Sequence, residues 1–279
     1  RGRAGWSVSI SADGNVVAMG SPKGGSNGGG SITTYKYDGL TLVWEPYGST
    51  IQGLSSGEEA GYSISLSEHG STMVIGSPKV TNLDGTINMG KTAVYIISGS
   101  EWQLLGQELH GEAEDDMEGT AVAMSRDGSI VVIGGKGRNE ANATTGEVVL
   151  RSVGHCSIHQ IQAGQLVFQH SIVGKGSEER LGSSVAVSSD GNVVACGGVS
   201  GFKGNSVRSG VVRLWNQVTM QESTIWPRGE VADLDGAAFG TSLAISADGE
   251  YVIVGAPSWR LNNGGGTSAG AVQVFRAAT

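Results

Sequence analysis

Proline is scarce in this 279-residue chain, with 5 residues, and cysteine scarcer still, with 2. So little proline beside abundant glycine and regular apolar runs points to many tight turns between strands rather than a disordered low-complexity chain. Charged residues make up only 16% of the chain, and the formal net charge is −8. An acidic balance without clustered Lys and Arg excludes a nucleic-acid partner, because phosphate binding needs such clusters. No apolar run approaches the roughly 18 residues of a membrane-spanning helix, so direct membrane insertion of this segment is not expected. Neither a G-x-S-x-G elbow nor a Walker-type phosphate loop is present, and the five His residues are scattered. No catalytic residue, bound metal or cofactor is therefore assigned. Cys196, in "NVVACGG", reads as a small buried apolar residue. Cys156 lies between His155 and His159 in a stretch read as irregular surface turn, and neither a disulfide between the two cysteines nor a metal site is expected.

What is abundant is glycine, with 47 residues, and its placement is periodic. One phrase recurs five times, opening at Gly5 ("GWSVSISADGNVVAMGSP"), Gly61, Gly119, Gly182 and Gly240, at intervals of 56 to 63 residues. A fixed long period marks stacked supersecondary units, none of which can bury its apolar face alone. Within each copy the apolar residues alternate with period two, as in Val8 and Ile10, so the units are built of strands. Each copy holds two strands, A and B, joined by a turn such as "SADGN" or "SRDGS", whose Asp-Gly tip tolerates positive φ. A Gly-rich loop leads to strand C ("GSITTYKY", "KTAVYIIS", "GEVVLRSV", "GVVRLWNQ", "GAVQVFRA"), and strand D is clearest as "LVWEPYGSTIQG" and "EWQLLGQELHG".

Four antiparallel strands per period describe blades. The expected fold is all-β, a five-bladed β-propeller of four-stranded antiparallel blades, forming one domain over residues 1–279. The last copy ends after strand C, so its blade has three strands or takes a fourth from outside. The opening at Arg1 rather than Met points to a longer parent chain. Trp6, Trp44, Trp102 and Trp215 are expected in the core between blades.

The string from Phe239 to Phe275, "FGTSLAISADGEYVIVGAP" and then "GAVQVF", resembles the FG-GAP repeat of integrin α-subunit propellers and many secreted proteins. Phe239-Gly240 and Gly255-Ala256-Pro257 carry the likeness; Gly-Ser-Pro or Gly-Gly replaces Gly-Ala-Pro in the other copies. The resemblance implies an extracellular or cell-surface setting and adhesion-type partners. In that family the A–B hairpin often binds Ca²⁺ through several acids. Here each turn holds one acid at most (Asp13, Glu68, Asp127, Asp190, Asp248), so these serve as turn formers and no calcium is expected.

Variable loops on a rigid scaffold are where binding concentrates. The B–C loops and D–A connections would share one face of the blades. Candidate contacts there are Trp259 and Arg260 in "SWRLNNGGG", Phe202 and Lys203 in "VSGFKGNSVRSG", and Asp115 and Asp116 in the acidic run "GEAEDDMEG". Asn142-Ala143-Thr144 fits the N-glycosylation pattern. The function expected is a non-catalytic interaction module of a secreted or surface assembly, binding other proteins. A carbohydrate-binding propeller is the alternative, and a glycan-acting enzyme the third reading.

Overall fold

A computed structural model describes residues 2–81, 85–141, 147–203, 207–229, 234–260 and 268–277. Every element named below is a strand, and every strand pairing is antiparallel. The first sheet holds β1 (Ser7–Ile10), β2 (Val16–Ser21), β3 (Ser31–Asp38), β4 (Val43–Pro46) and β5 (Ile51–Gln52). The second repeats it with β6 (Ser63–Leu66), β7 (Thr72–Ser77), β8 (Lys91–Ser98), β9 (Glu101–Leu104) and β10 (Leu109–His110). The third comprises β11 (Glu118–Met124), β12 (Ile130–Gly135), β15 (His155–Gln162) and β16 (Gln165–Val173), with a separate hairpin of β13 (Glu140–Ala141) and β14 (Val148–Leu150). The fourth comprises β17 (Leu181–Val187), β18 (Val193–Gly198), β21 (Val211–Asn216) and β22 (Gln221–Ile225), beside a hairpin of β19 (Phe202–Lys203) and β20 (Val207–Arg208). The fifth has three strands, β23 (Ser242–Ile245), β24 (Tyr251–Ala256) and β25 (Ala271–Arg276).

The turn between the first two strands explains the recurring Ser-x-Asp-Gly. In the first sheet the Ser11 hydroxyl donates to Asp13 Oδ1 at 2.5 Å and accepts from Val16 N–H at 2.9 Å. The same carboxylate oxygen accepts from Asn15 N–H at 3.0 Å, and Gly14 takes φ +74°. Ser125–Asp127, Ser188–Asp190 and Ser246–Asp248 repeat the arrangement. The four turn aspartates are thus occupied as turn formers, as expected, whereas the Glu68 carboxylate instead accepts from Arg126 Nη2 at 2.5 Å. His69 stands in the second sheet's equivalent slot, and there Ser67 Oγ still accepts from Thr72 N–H.

Two expectations about strands fail. Strand D of the first two sheets is broken into β4–β5 and β9–β10. In the first sheet the break holds Gly48, where a Cβ would sit 2.6 Å from Trp102 Nε1. In the third repeat "EVVL" does not supply the sheet's third strand. It forms the outer hairpin β13–β14, and β15 takes the place in the sheet. His155, Cys156 and His159 are therefore buried strand residues, not a surface turn. The insertion that carries this hairpin lengthens that period, which is why the pattern misled. Cys156 and Cys196 form a disulfide, against expectation, because β15 brings the first sulfur to β18.

The chain divides into two compact units, residues 1–133 with 158–169 and residues 134–157 with 170–279. In the first unit Val16, Ala18 and Ile32 of the first sheet bury against Ile64, Leu66, Met73, Ile75 and Trp102 of the second. On its other face the second sheet packs Val74 and Val94 against Val122, Met124, Val131 and Ile133. In the second unit Val193, Ala195, Val212 and Leu214 meet Val252, Val254 and Phe275 of the fifth sheet and Phe239 of the connection before it.

Small residues set how closely the sheets approach. Ser7 Oγ donates to the Gly61 carbonyl at 2.7 Å, Ser63 Oγ to Gly119 at 2.8 Å, and Ser184 Oγ to Gly240 at 2.6 Å. A Cβ on Gly20, Gly76 or Gly197 would lie within about 2 Å of the same carbonyls, so glycine is required there. Trp102 and Trp215 are core residues as expected, but Trp6 and Trp44 are roughly half exposed. Trp102 owes its burial to the preceding sheet: its indole N–H donates to Thr34 Oγ1 at 2.9 Å. Trp44 is the equivalent residue of the first sheet and has no such acceptor among the described residues.

Candidate interaction surface

The connections entering the second, third and fourth sheets share one design. Before the second sheet, Glu58 Oε2 accepts from Leu54 and Ser55 N–H at 2.8 and 3.0 Å. Before the third, Asp116 Oδ2 accepts from Glu112 and Ala113 N–H, both at 2.8 Å. Before the fourth, Glu179 Oε2 accepts from Lys175 N–H at 2.9 Å. The residue after each acid has positive φ, Glu59 at +59°, Met117 at +54° and Arg180 at +55°. A parallel bridge then ties the next residue to the glycine before a neighbouring third strand, as in Gly30–Ala60, Gly90–Glu118 and Gly154–Leu181. The acid in each loop folds the loop.

Two of these acids also hold buried cations. Lys91 Nζ lies 2.8 Å from Glu58 Oε1 and 3.0 Å from Glu108 Oε1. Desolvation alone would lower the Lys91 pKa, but hydrogen bonds to the two carboxylates override it and raise it above the ordinary lysine value. In the second unit Arg213 Nη2 sits 2.8 Å from Glu179 Oε1, with both side chains almost fully buried. Such pairs are costly to break from one side. They brace the loops.

Against this frame the predicted site residues separate. Trp259 is 7% exposed and belongs to the fifth sheet's core with Leu234, Phe239 and Phe275. It is corrected from candidate contact to core: its ring fills the space beside Gly229, where a Cβ would meet it at 2.6 Å. Asp116 is likewise corrected, being buried in the brace just described. Asp115 is exposed, with φ +62°, and accepts from Asn88 Nδ2 at 2.8 Å. Phe202 is 44% exposed on the β19–β20 hairpin, with the Arg208 guanidinium 5.9 Å from its ring centroid. That hairpin is anchored to the following connection: Arg208 N–H reaches Asp235 Oδ1, and Gly236 N–H donates to the Arg208 carbonyl. Lys203 lies in β19, and Arg260 forms an isolated bridge with Ser268. Asn142 lies outside the described residues.

Sequence reasoning missed the loop acids' bracing role and the part Arg208 plays. The first was legible in the recurrence of one acid three residues before the opening glycine of the second, third and fourth repeats, Glu58, Asp116 and Glu179. No family model matches the chain, and no curated protein matches it.

Proposed function

We propose that the chain is a non-catalytic interaction module whose sheets are the blades of an FG-GAP-like β-propeller, secreted or displayed at a cell surface, and that it binds other proteins through its loops. The observation that carries this reading is the division of labour among the loop residues. Glu58, Asp116 and Glu179 are spent on backbone amides, and Glu58 and Glu179 also on buried cations, while the anchored hairpin offers Phe202 with a cation over its ring and leaves both exposed. An aromatic paired with arginine is the side-chain chemistry enriched at the energetic centres of protein interfaces. The burial of Trp259 removes the main stacking platform on which the carbohydrate-binding reading relied. The disulfide between Cys156 and Cys196 supports an oxidising compartment.

The test is a paired screen of the chain and of its Phe202→Ala/Arg208→Ala variant against extracellular proteins and a glycan array. A protein ligand lost by the variant supports the proposal. Glycan binding that survives in the variant overturns it.

A further inference from the structure

The fifth sheet ends one strand short, and the edge that this leaves is chemically specified. In the first, second and fourth sheets the third strand pairs on its outer side with a fourth, β4, β9 or β22. Among the described residues β25 pairs only with β24. Ala277 N–H donates to the Glu250 carbonyl. By the alternation of an antiparallel ladder, Ala271, Gln273 and Phe275 therefore turn their amides to β24, while Val272, Val274 and Arg276 turn theirs outwards. The registers set Val274 level with Thr34 and Val94 of the first and second sheets. There the Thr34 carbonyl accepts from Tyr47 N–H at 2.9 Å and the Val94 carbonyl from Leu105 N–H at 2.8 Å. The Val274 carbonyl has no such donor among the described residues.

The residues along this edge define the strand that fits it. Level with Arg276, Lys36 of the first sheet has Glu45 opposite it on β4. Level with Phe275, Trp215 of the fourth sheet has Glu222 opposite it on β22. Level with Val272, Ile32, Thr92 and Val212 have Ile51, Leu109 and Ile225 opposite them. On the fifth sheet Val272 is 71% and Val274 54% exposed. The Arg276 side chain is exposed, and the exposed Arg228 sets its guanidinium 4.7 Å from the Phe275 ring centroid. Glu250 lies 3.8 Å from Arg276. The edge thus carries two positive charges against one negative, within a chain of net charge −8. Every named strand is already paired within its own sheet. The opening residues are tied down as well, since Trp6 N–H donates to the Gly20 carbonyl and Lys23 N–H to the Gly2 carbonyl. No strand of the described chain is left over to fill the place.

We propose that β25 binds an extended acidic peptide of a partner protein, which adds to the fifth sheet as its fourth strand. The peptide runs antiparallel to β25, with consecutive carboxylates opposite Arg276 and Phe275 and apolar side chains opposite Val274 and Val272. The first carboxylate pairs with Arg276 and the second with Arg228. The peptide backbone supplies the N–H that the Val274 carbonyl lacks. The added strand takes an edge and neither face of the sheet, so it makes no demand on the blade arrangement. It is also independent of the loop-face reading.

Fluorescence anisotropy of the 279-residue chain with a fluorescein-labelled peptide, GEEVTIG, tests it. Saturable binding is expected. N-methylation of the peptide's Val, whose amide faces Val274, should weaken binding about tenfold. N-methylation of its Thr, whose amide faces solvent, should leave binding unchanged. Arg276→Glu should weaken GEEVTIG about fivefold and make GKEVTIG the better ligand. Circular dichroism confirms that this exposed substitution leaves the chain folded. Absence of saturable binding overturns the proposal, and so does an equal loss from the two N-methylations, which would mean attraction of charge without strand pairing. A concentration-dependent dimer in sedimentation velocity that Val274→Pro abolishes also overturns it, because the edge would then belong to a second copy. That substitution removes an outward N–H and spares the ladder to β24.

Discussion

Strands β7 and β24 occupy the same place in the second and fifth sheets, and their sequences, TMVIGS and YVIVGA, are equally apolar. β7 is buried at almost every position, whereas β24 alternates between buried and uncovered. The chemistry of the strand is the same, and the difference lies in the neighbours. A strand apolar on both faces is composed for cover on both sides. The contrast shows that stability in this chain is a property of sheet–sheet contacts, and that equal residues carry unequal energies according to whether the next sheet is present.

The largest effect belongs to charge. Replacing Glu179 by Ala strands Arg213 in the core and should cost about 3–5 kcal/mol in denaturant unfolding. Its neighbour Glu178 pairs with Arg180 on the surface, and Glu178→Ala should change stability by less than about 0.5 kcal/mol. A similar cost for both would erase the distinction between covered and uncovered positions. Next comes packing. Leu66→Ala should cost about 2–5 kcal/mol, while Ile10→Ala, at the equivalent site of the first sheet, should stay within about 0.5 kcal/mol in dilute solution. Third is the inner hydroxyl: Ser7→Ala should cost about 1 kcal/mol through the lost bond to Gly61, and Ser242→Ala should leave the stability of the dilute protein unchanged.

The smallest effect sharpens the comparison of turns. A hydrogen bond from Ser11 Oγ, then one from Asn15 N–H, hold the Asp13 carboxyl at about 2, below its ordinary value of 3.8. A depressed carboxylate contributes stability above its unfolded pKa and loses it as pH falls through the folded value. Thermal midpoints of the parent chain should therefore fall between about pH 4 and pH 2 more steeply than those of Asp13→Asn. Identical slopes would mean that the carboxylate does not hold the turn.

Much of this was legible in the sequence. The five repeats, the A–B hairpins, the turn role of Asp13, Asp127, Asp190 and Asp248, and the all-β class follow from period-two alternation and Asp-Gly tips. The third repeat was misread because two apolar runs, "EVVL" and "SIHQIQ", competed for one strand position, and only sheet pairing decides between them. The disulfide was hidden by the same misreading, since Cys156 seemed to lie off the sheet. Trp259 sits in a polar, Gly-rich segment, so its sequence surroundings look exposed. Its burial comes from Leu234 and Phe239, distant in sequence, and local composition carries no trace of that contact. Asp116 was conspicuous as charge, but its function is to accept backbone N–H groups, which only the loop's conformation reveals.

The claim that each sheet is completed by its neighbour is tested most directly by a double-mutant cycle on Thr34 and Trp102, whose hydrogen bond spans the first and second sheets. Thr34→Val, Trp102→Phe and the double variant should show a coupling of about 1 kcal/mol in unfolding free energy. Additivity at Thr34 and Trp102 would contradict the account.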